Sequence, residues 1–465
     1  MHNGYYLSPV DNFLQGNDWK RDPGVGNGSY FRRVPGYSLL YLTSRIVTPD
    51  KKSGLRLLII FQIALYLASI YWLFNSLSTL LINKYIKLML LLIYTITPWF
   101  NIYPFFTITE SISGYLVLGV VNYCIVAYKS EVVSIKFRNY LICVTLISFL
   151  LLTRPVTGIL GIFILIFLFY DYYIKHSFKI FALKCMALGL VPLLFVGVWT
   201  IRNYAITEEI VVLEKASHPE SLDQLKPGMR SIWNLTKSWG EYHFWENEMY
   251  LWGAVEGGDT VCSTQINNII KKWPNDIVAQ IGEERLRKGL EMHRDVLIGY
   301  KPYFDNLTPM PSSYGDAELE QVKYFENLKT EFVKNNWFTN YIASPFIYLK
   351  HIVLHSNTSG VTFLQKEFRT ITILNFYRYL LAAIHTILYL GLFLSFVYYI
   401  SKPDWTNPHR LAFQVVPLLF VFFFVVIHRE IEQRYMLPIL SLIMINLGNF
   451  LNSILTFTRL EVNPK

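Results

Sequence analysis

The sequence predicts an all-α polytopic membrane protein of about nine spans, carrying one large extracytoplasmic loop domain that is mixed in character and mainly helical. Three observations predict it. Hydrophobic residues make up 53% of the chain and charged residues only 16%, against about 25% charge in an average soluble domain. The charge is also unevenly placed. Residues 202–370 hold 22 of the 33 acids and 18 of the 42 bases, a net of −4, which leaves +13 for the remainder. Finally, nine apolar stretches approach the length of a bilayer crossing. So few charges cannot coat several soluble domains, and 33 Phe, 32 Tyr and 11 Trp exclude a disordered chain.

The stretches follow in order at 57–81, 85–100, 111–128, 139–153, 156–174, 181–200, 372–400, 411–427 and 435–456. A hydrocarbon core of about 30 Å takes roughly 20 helical residues. Several runs are shorter, but Pro98, Pro155 and Pro192 stand near their ends, where a helix starts or stops without losing an internal hydrogen bond. Backbone groups cannot go unpaired in lipid, so helices are the only sensible reading. Strand alternation, the mark of a barrel, is absent. Before the first run, about fifty mixed polar residues show no signal-peptide pattern.

Loop charge orients the chain. Lys84, Lys87, Lys129, Lys136, Arg138, Lys175, Lys179, Lys184, Lys402, Arg410, Arg459 and Lys465 fall in one set of short connections, and only Arg154, Arg429 and Arg434 in the other. The first set is therefore expected in the cytoplasm. Arg45, Lys51, Lys52 and Arg56 near the first span narrow that margin without reversing it. Four parts result: an external loop over 1–56, a first transmembrane part over 57–201, an extracytoplasmic domain over 202–370 and a last transmembrane part over 371–465. Within the third, 276–296 and 316–334 carry mixed charge at helical apolar spacing, for example Ile281, Leu286, Leu290 and Leu297. An external segment 1–56 has no preceding helix to carry it across, so a further helix upstream of Met1 is expected.

The expected outer face gathers unusual ionisable groups. Glu110 closes the stretch from Tyr103 just before a span, Arg154 sits between two spans, and Arg202 ends another. Glu430, Glu432, Arg434 and Tyr435 precede the last span, and Arg378 lies a turn or two inside the seventh. At membrane depth such groups pair, line a wet cavity or serve function. Taken singly, each reads equally well as an interfacial anchor. Together, arginines and carboxylates on one leaflet describe a site for an anionic group that also needs a base. A guanidinium stays charged and binds phosphate oxygens with two parallel donors. The carboxylates would act as general base on an acceptor hydroxyl, or hold a divalent metal against a phosphate; spacing leaves both open.

The ordered series Tyr5-Tyr6, Gly16, Arg33 to Leu40, Thr109-Glu110, Leu152-Thr153-Arg154-Pro155, Arg202-Asn203-Tyr204 and Glu432-Gln433-Arg434-Tyr435 with Pro438 resembles the GT-C superfamily of membrane glycosyltransferases. The nearest resemblance is to bacterial members like protein O-mannosyltransferases and the aminoarabinose transferase of lipid A. It covers most of the chain outside 210–340. It implies a polyprenyl-phosphate-linked sugar as donor, a glycan, lipid or protein hydroxyl as acceptor, and an extracytoplasmic site in the bacterial inner membrane, usually with inversion at the anomeric carbon. Glu110 matches the second acidic position of the family. Arg33 to Leu40 matches its helix on the membrane surface, and Arg202 and Arg434 fall where members keep basic residues near the donor phosphate. The leading catalytic Asp of the family would stand about four residues before Tyr5 or Tyr6, where this chain has Met1 and His2. An upstream Asp is therefore expected in an active enzyme, and its absence would mean a catalytically inactive member. Asp11 is the nearest carboxylate, at the wrong spacing.

Other signals are weaker. His351 and His355 share a helical face but lack the intervening Glu of a zinc protease, so 348–355 reads as a helix at the membrane surface. Four Asn sequons lie on the expected outer side. Trp233, Trp239, Tyr242, Phe244, Trp245, Tyr250 and Trp252 would serve either to stack on acceptor sugars or to form the core of the loop domain. Four scattered cysteines offer no disulfide framework. With no phosphate-binding glycine loop, a nucleotide-driven pump is excluded, and the placement of the basic residues gives nucleic-acid binding no support. A transporter or flippase of a lipid-linked or anionic solute is the competing reading. Transporters carry ionisable or broken helices near mid-span in matching halves, whereas these charges gather at one end.

Overall fold

The computed structural model describes residues 4–19, 33–213, 227–241, 255, 257–306, 314–354, 371–401, 407–429 and 433–462. Every regular element among them is helical. Eight helical segments are long and apolar enough to cross a bilayer: Lys51–Leu80, Glu110–Lys129, Val133–Leu151, Pro155–Ile174, Phe178–Ile206, Thr372–Ser401, Pro408–His428 and Arg434–Leu455. Two short helices, α1 (Gly4–Leu14) and α2 (Gly36–Val47), precede α3 (Lys51–Leu80). Polar caps start the long helices where the chain turns: Asp50 accepts from Ser53 N–H at α3, and Asn83 from Tyr85 and Ile86 N–H at α4 (Lys84–Ile96). Such caps satisfy amides that have no intrahelical partner.

The stretch expected as a single span over 85–100 is broken instead. After α4 the chain bends by 58° into 98–105, beginning with α5 (Pro98–Asn101). Pro98 has no N–H to continue the ladder and holds Thr97 extended at ψ 134°. A single hairpin of α4 and the bent segment therefore brings the chain to Glu110, the first residue of α6 (Glu110–Lys129).

Helix α6 is the axis of the membrane part, 83% buried along its span. It packs against α3, against α7 (Val133–Leu151) and against the last helix (Leu437–Val462). The next span combines a 3-10 turn (Pro155–Leu160), α8 (Gly161–Leu168) and a π turn (Phe169–Ile174). In contrast, α9 (Phe178–Thr207) is only 6% buried along its span and turns Leu183, Met186, Leu190, Leu193 and Leu194 outward. Such an outward surface suits lipid.

At the Lys136 end of α7, Asp171 is fully buried and takes Lys136 Nζ at 2.8 Å and Lys175 Nζ at 3.0 Å on one oxygen, with Tyr140 OH donating to the other at 2.8 Å. Cys124 and Cys143 are buried free thiols with sulfurs 3.4 Å apart.

The described part of 202–370 builds its own core from α10 (Pro227–Thr236), α11 (Asp259–Lys272), α12 (Asn275–Ile281), α13 (Glu283–Asp305) and α14 (Asp316–Asn335). Ile281, Leu286, Leu290 and Leu297 all point into that core, as their spacing predicts. The helix expected over 276–296 is divided by Gly282, whose φ of +97° a side chain would resist. Trp239 lies within the same core against Trp273 and Phe332, so for this residue packing explains the aromatic. Tyr242, Phe244, Trp245, Tyr250 and Trp252 lie outside the described residues. A π turn (Thr339–Ala343) and α15 (Ser344–Leu354) lead back toward the membrane. His351 is in α15, and His355 lies outside the described residues. The chain then finishes with α16 (Thr372–Ser401), α17 (Pro408–Phe422) extended by a π turn (Phe423–His428), and α18 (Leu437–Val462).

Candidate functional site

Three separate connections converge at the N-terminus of α6. Glu110 is 5% exposed, and its position as first helical residue places a carboxylate where the helix dipole favours one. Its Oε1 lies 3.3 Å from Arg154 Nη1 and 3.6 Å from Arg434 Nε. The other oxygen accepts from Thr109 Oγ1 at 3.0 Å. Arg154 precedes Pro155, which confines it to extended backbone, φ −150° and ψ 106°. Its guanidinium carbon stands 4.9 Å over the Tyr435 ring, and that of Arg434 stands 5.5 Å from the same ring. Nη1 of Arg154 also donates to the Arg434 carbonyl at 3.5 Å. Arg154 is nearly buried, with 9% side-chain exposure, whereas Arg434 is 45% exposed. Among the described residues the site thus sets two guanidinium groups against one carboxylate, and Arg434 is the more exposed of the two.

A second layer fixes this geometry. Gly36 N–H donates to Leu152 carbonyl at 2.6 Å, so α2 meets the chain two residues ahead of Arg154. A Cβ at Gly36 would lie 2.5 Å from Thr153 Oγ1 and 2.6 Å from the Leu152 oxygen, which only glycine avoids. Gln62 of α3, fully buried, accepts from Tyr37 OH at 2.8 Å and from Ser111 Oγ at 2.5 Å, and donates to Pro104 carbonyl at 2.7 Å. One side chain therefore joins α2, α3, the bent segment and the start of α6. Burial pushes the Tyr37 phenol well above its ordinary range, so it stays a neutral donor. Sequence reasoning passed over Gln62. Its signal is that it is the only glutamine of the first span and stands in an apolar run from Leu57 to Leu67.

Arg202 and Arg378 make other contacts. Arg202, at the end of α9, donates to Asn203 Oδ1 at 2.9 Å and to Trp19 carbonyl at 2.5 Å, with its guanidinium 4.7 Å from the Trp199 ring. It ties α9 to the segment after α1. Arg378 in α16 lies 4.8 Å from the Tyr379 ring, with a buried Nε that has no hydrogen-bond partner. Glu432, like Glu430, lies outside the described residues. Asp11 pairs with Arg45 and, at 2.8 Å, with Lys51, and accepts from Tyr41, which anchors α1 to α2 and α3.

Among the described residues no cluster of three or more potential metal ligands occurs. The Glu110 carboxylate stands between two cations, a setting that repels a dication. Among the described residues this cluster therefore suits an anion.

No family model matches the chain, and no curated protein does. Solved structures offer a likeness in helical arrangement. The oligosaccharyltransferase of Archaeoglobus fulgidus, in complex with zinc and sulfate, matches over 99% of this chain and 46% of its own at 11% identity and TM-score 0.44. The oligosaccharyltransferase AglB of the same organism, with an inhibitory peptide and a dolichol-phosphate, matches over 100% and 48%, at 11% identity and TM-score 0.44. ArnT from Cupriavidus metallidurans, bound to undecaprenyl phosphate, matches over 99% and 75%, at 11% identity and TM-score 0.35. The chain spans about half the length of the archaeal structures.

Proposed function

We propose that this protein is a multi-pass glycosyltransferase of the GT-C type, which moves a sugar from a polyprenyl-phosphate carrier to a glycan, lipid or protein hydroxyl outside the bacterial cytoplasmic membrane. The observation that carries this reading is the Glu110, Arg154 and Arg434 cluster at one end of the buried helix α6. Glu110 and Lys129, at the two ends of α6, are separated by about 28 Å at 1.5 Å per residue, close to the thickness of a bilayer core, which supports a cluster near a membrane boundary. Loop charge supports the outer one. A lipid phosphate lies at that depth.

Charge selects the ligand. Among the described residues two guanidiniums face one carboxylate, a balance that favours an anion such as the phosphodiester of a lipid-linked sugar. Guanidinium groups bind such a phosphate through paired donors, and Arg434 is the one open to receive it. As phosphate oxygens take over the arginine donors, Glu110 loses its partners. Its carboxylate is then free to accept the proton of the acceptor hydroxyl as that oxygen attacks the anomeric carbon, and the bond to phosphate breaks to release polyprenyl phosphate. Tyr435 keeps Arg154 oriented through its ring.

The test is transfer in a reconstituted lipid-sugar assay with a panel of polyprenyl-phosphate sugars. Wild type is expected to consume one of them, and Glu110→Gln to lose transfer while reaching the membrane in normal amount. Full activity of that variant would remove Glu110 from the reaction.

A further inference from the structure

The corner between α17 and α18 is held from outside the membrane part. Arg429 adopts φ +51°, a left-handed conformation that residues with a Cβ avoid unless their surroundings over-determine it. Its Nη1 donates to Asn340 Oδ1 at 2.7 Å, and its Nε to Val426 carbonyl at 3.1 Å. The neighbouring His428 carbonyl accepts from Lys237 Nζ at 2.8 Å. Lys237 belongs to the external domain, where its ammonium lies 3.7 Å over the Trp233 ring and its carbonyl accepts from Ser344 Oγ at 2.7 Å. Two successive residues of the corner are therefore gripped by side chains from 237 and 340.

The same corner leads into the site. Phe424, in the π turn, has its ring 5.5 Å from His428 and 5.7 Å from Tyr435, and Tyr435 lies under Arg154. We propose that Asn340 and Lys237 are positioning residues: they latch the 428–429 corner to the external domain and so set Arg434 and Tyr435 against Arg154 and Glu110. The latch itself rests on contacts alone; that it sets the grip on a lipid phosphate rests on the function proposed above. Its consequence is that anything which shifts the external domain, an acceptor included, changes the affinity of the donor site.

The experiment measures two quantities in full-length protein in nanodiscs: hydrogen exchange of peptides covering 423–436, and affinity for undecaprenyl phosphate. Asn340→Ala should speed exchange there and weaken binding, each by about tenfold, the scale of one hydrogen bond to a charged group. Exchange in α6 should not change. Asn340→Leu keeps the bulk but removes the acceptor and should behave like Asn340→Ala, which a mere loss of packing would not predict. Lys237→Met tests the second grip and decides the matter should Asn340→Ala fail to fold. Unchanged exchange in these variants overturns the latch. Faster exchange with unaltered affinity overturns its positioning role. A wild type that binds no undecaprenyl phosphate, with exchange still accelerated in the variants, sinks the donor reading and leaves the latch standing.

Discussion

Glu110→Gln has a consequence that separates the proposed site from a structural ion pair: it should tighten the binding of a lipid phosphate while it destroys transfer. The wild-type carboxylate is the counter-charge of the cations a phosphate would meet, 3.3 Å from Arg154 and 3.6 Å from Arg434. The Arg434 pair is 45% exposed on the arginine side and is worth about 0–1 kcal/mol. The pair with Arg154 is buried on both sides, so removing its charge costs on the order of 3 kcal/mol and leaves a cation without a counter-ion. In the variant, a phosphate would supply that missing charge. Affinity for undecaprenyl phosphate, measured by titration in nanodiscs, should rise about tenfold or more, since about 1.4 kcal/mol corresponds to a factor of ten. The lipid-free variant should melt below wild type and recover most of the difference at saturating lipid, because a ligand that binds only the folded state stabilises it. A folded Glu110→Gln protein that binds undecaprenyl phosphate no better than wild type would refute the competition between carboxylate and phosphate.

Other substitutions probe the supports of the site. Gly36→Ala places a Cβ 2.6 Å from the Leu152 oxygen; it should cost about 1–3 kcal/mol in thermal unfolding and, by displacing α2 from Arg154, weaken phosphate binding more than Ala substitutions at exposed α2 positions do. Gln62→Leu leaves the Tyr37 hydroxyl and the Pro104 carbonyl without their buried partner, so a loss of about 1–3 kcal/mol for each is expected, read as a lower melting temperature. Asp171→Asn should cost about 3–5 kcal/mol, because Lys136 and Lys175 lose a buried counter-charge. Its cluster lies about 22 Å along α7 from the helix end that leads to Arg154, so the affinity of the surviving folded protein for undecaprenyl phosphate should be unchanged; a large drop would mean that the two ends of the bundle are coupled.

The sequence by itself determined the elements, because what defines them is local. An apolar run in lipid has no choice but a helix, and eight of the nine expected spans are helical segments of crossing length. Helical spacing likewise placed Leu286, Leu290 and Leu297 in the core of the domain within 202–370. Rarity of charge in apolar surroundings marked Glu110, Arg154 and Arg434. Which of the marked residues meet was decided only by tertiary packing. Arg154 and Arg434 reach one carboxylate oxygen from connections 280 positions apart, while Arg202 turns to Trp19 and Arg378 to Tyr379. No period or composition encodes such pairings, since they depend on how helices far apart in the chain are stacked against α6. The hub at Gln62 and the grip of Asn340 on Arg429 escaped notice for the same reason: a neutral amide looks ordinary until folding surrounds it with partners drawn from distant segments.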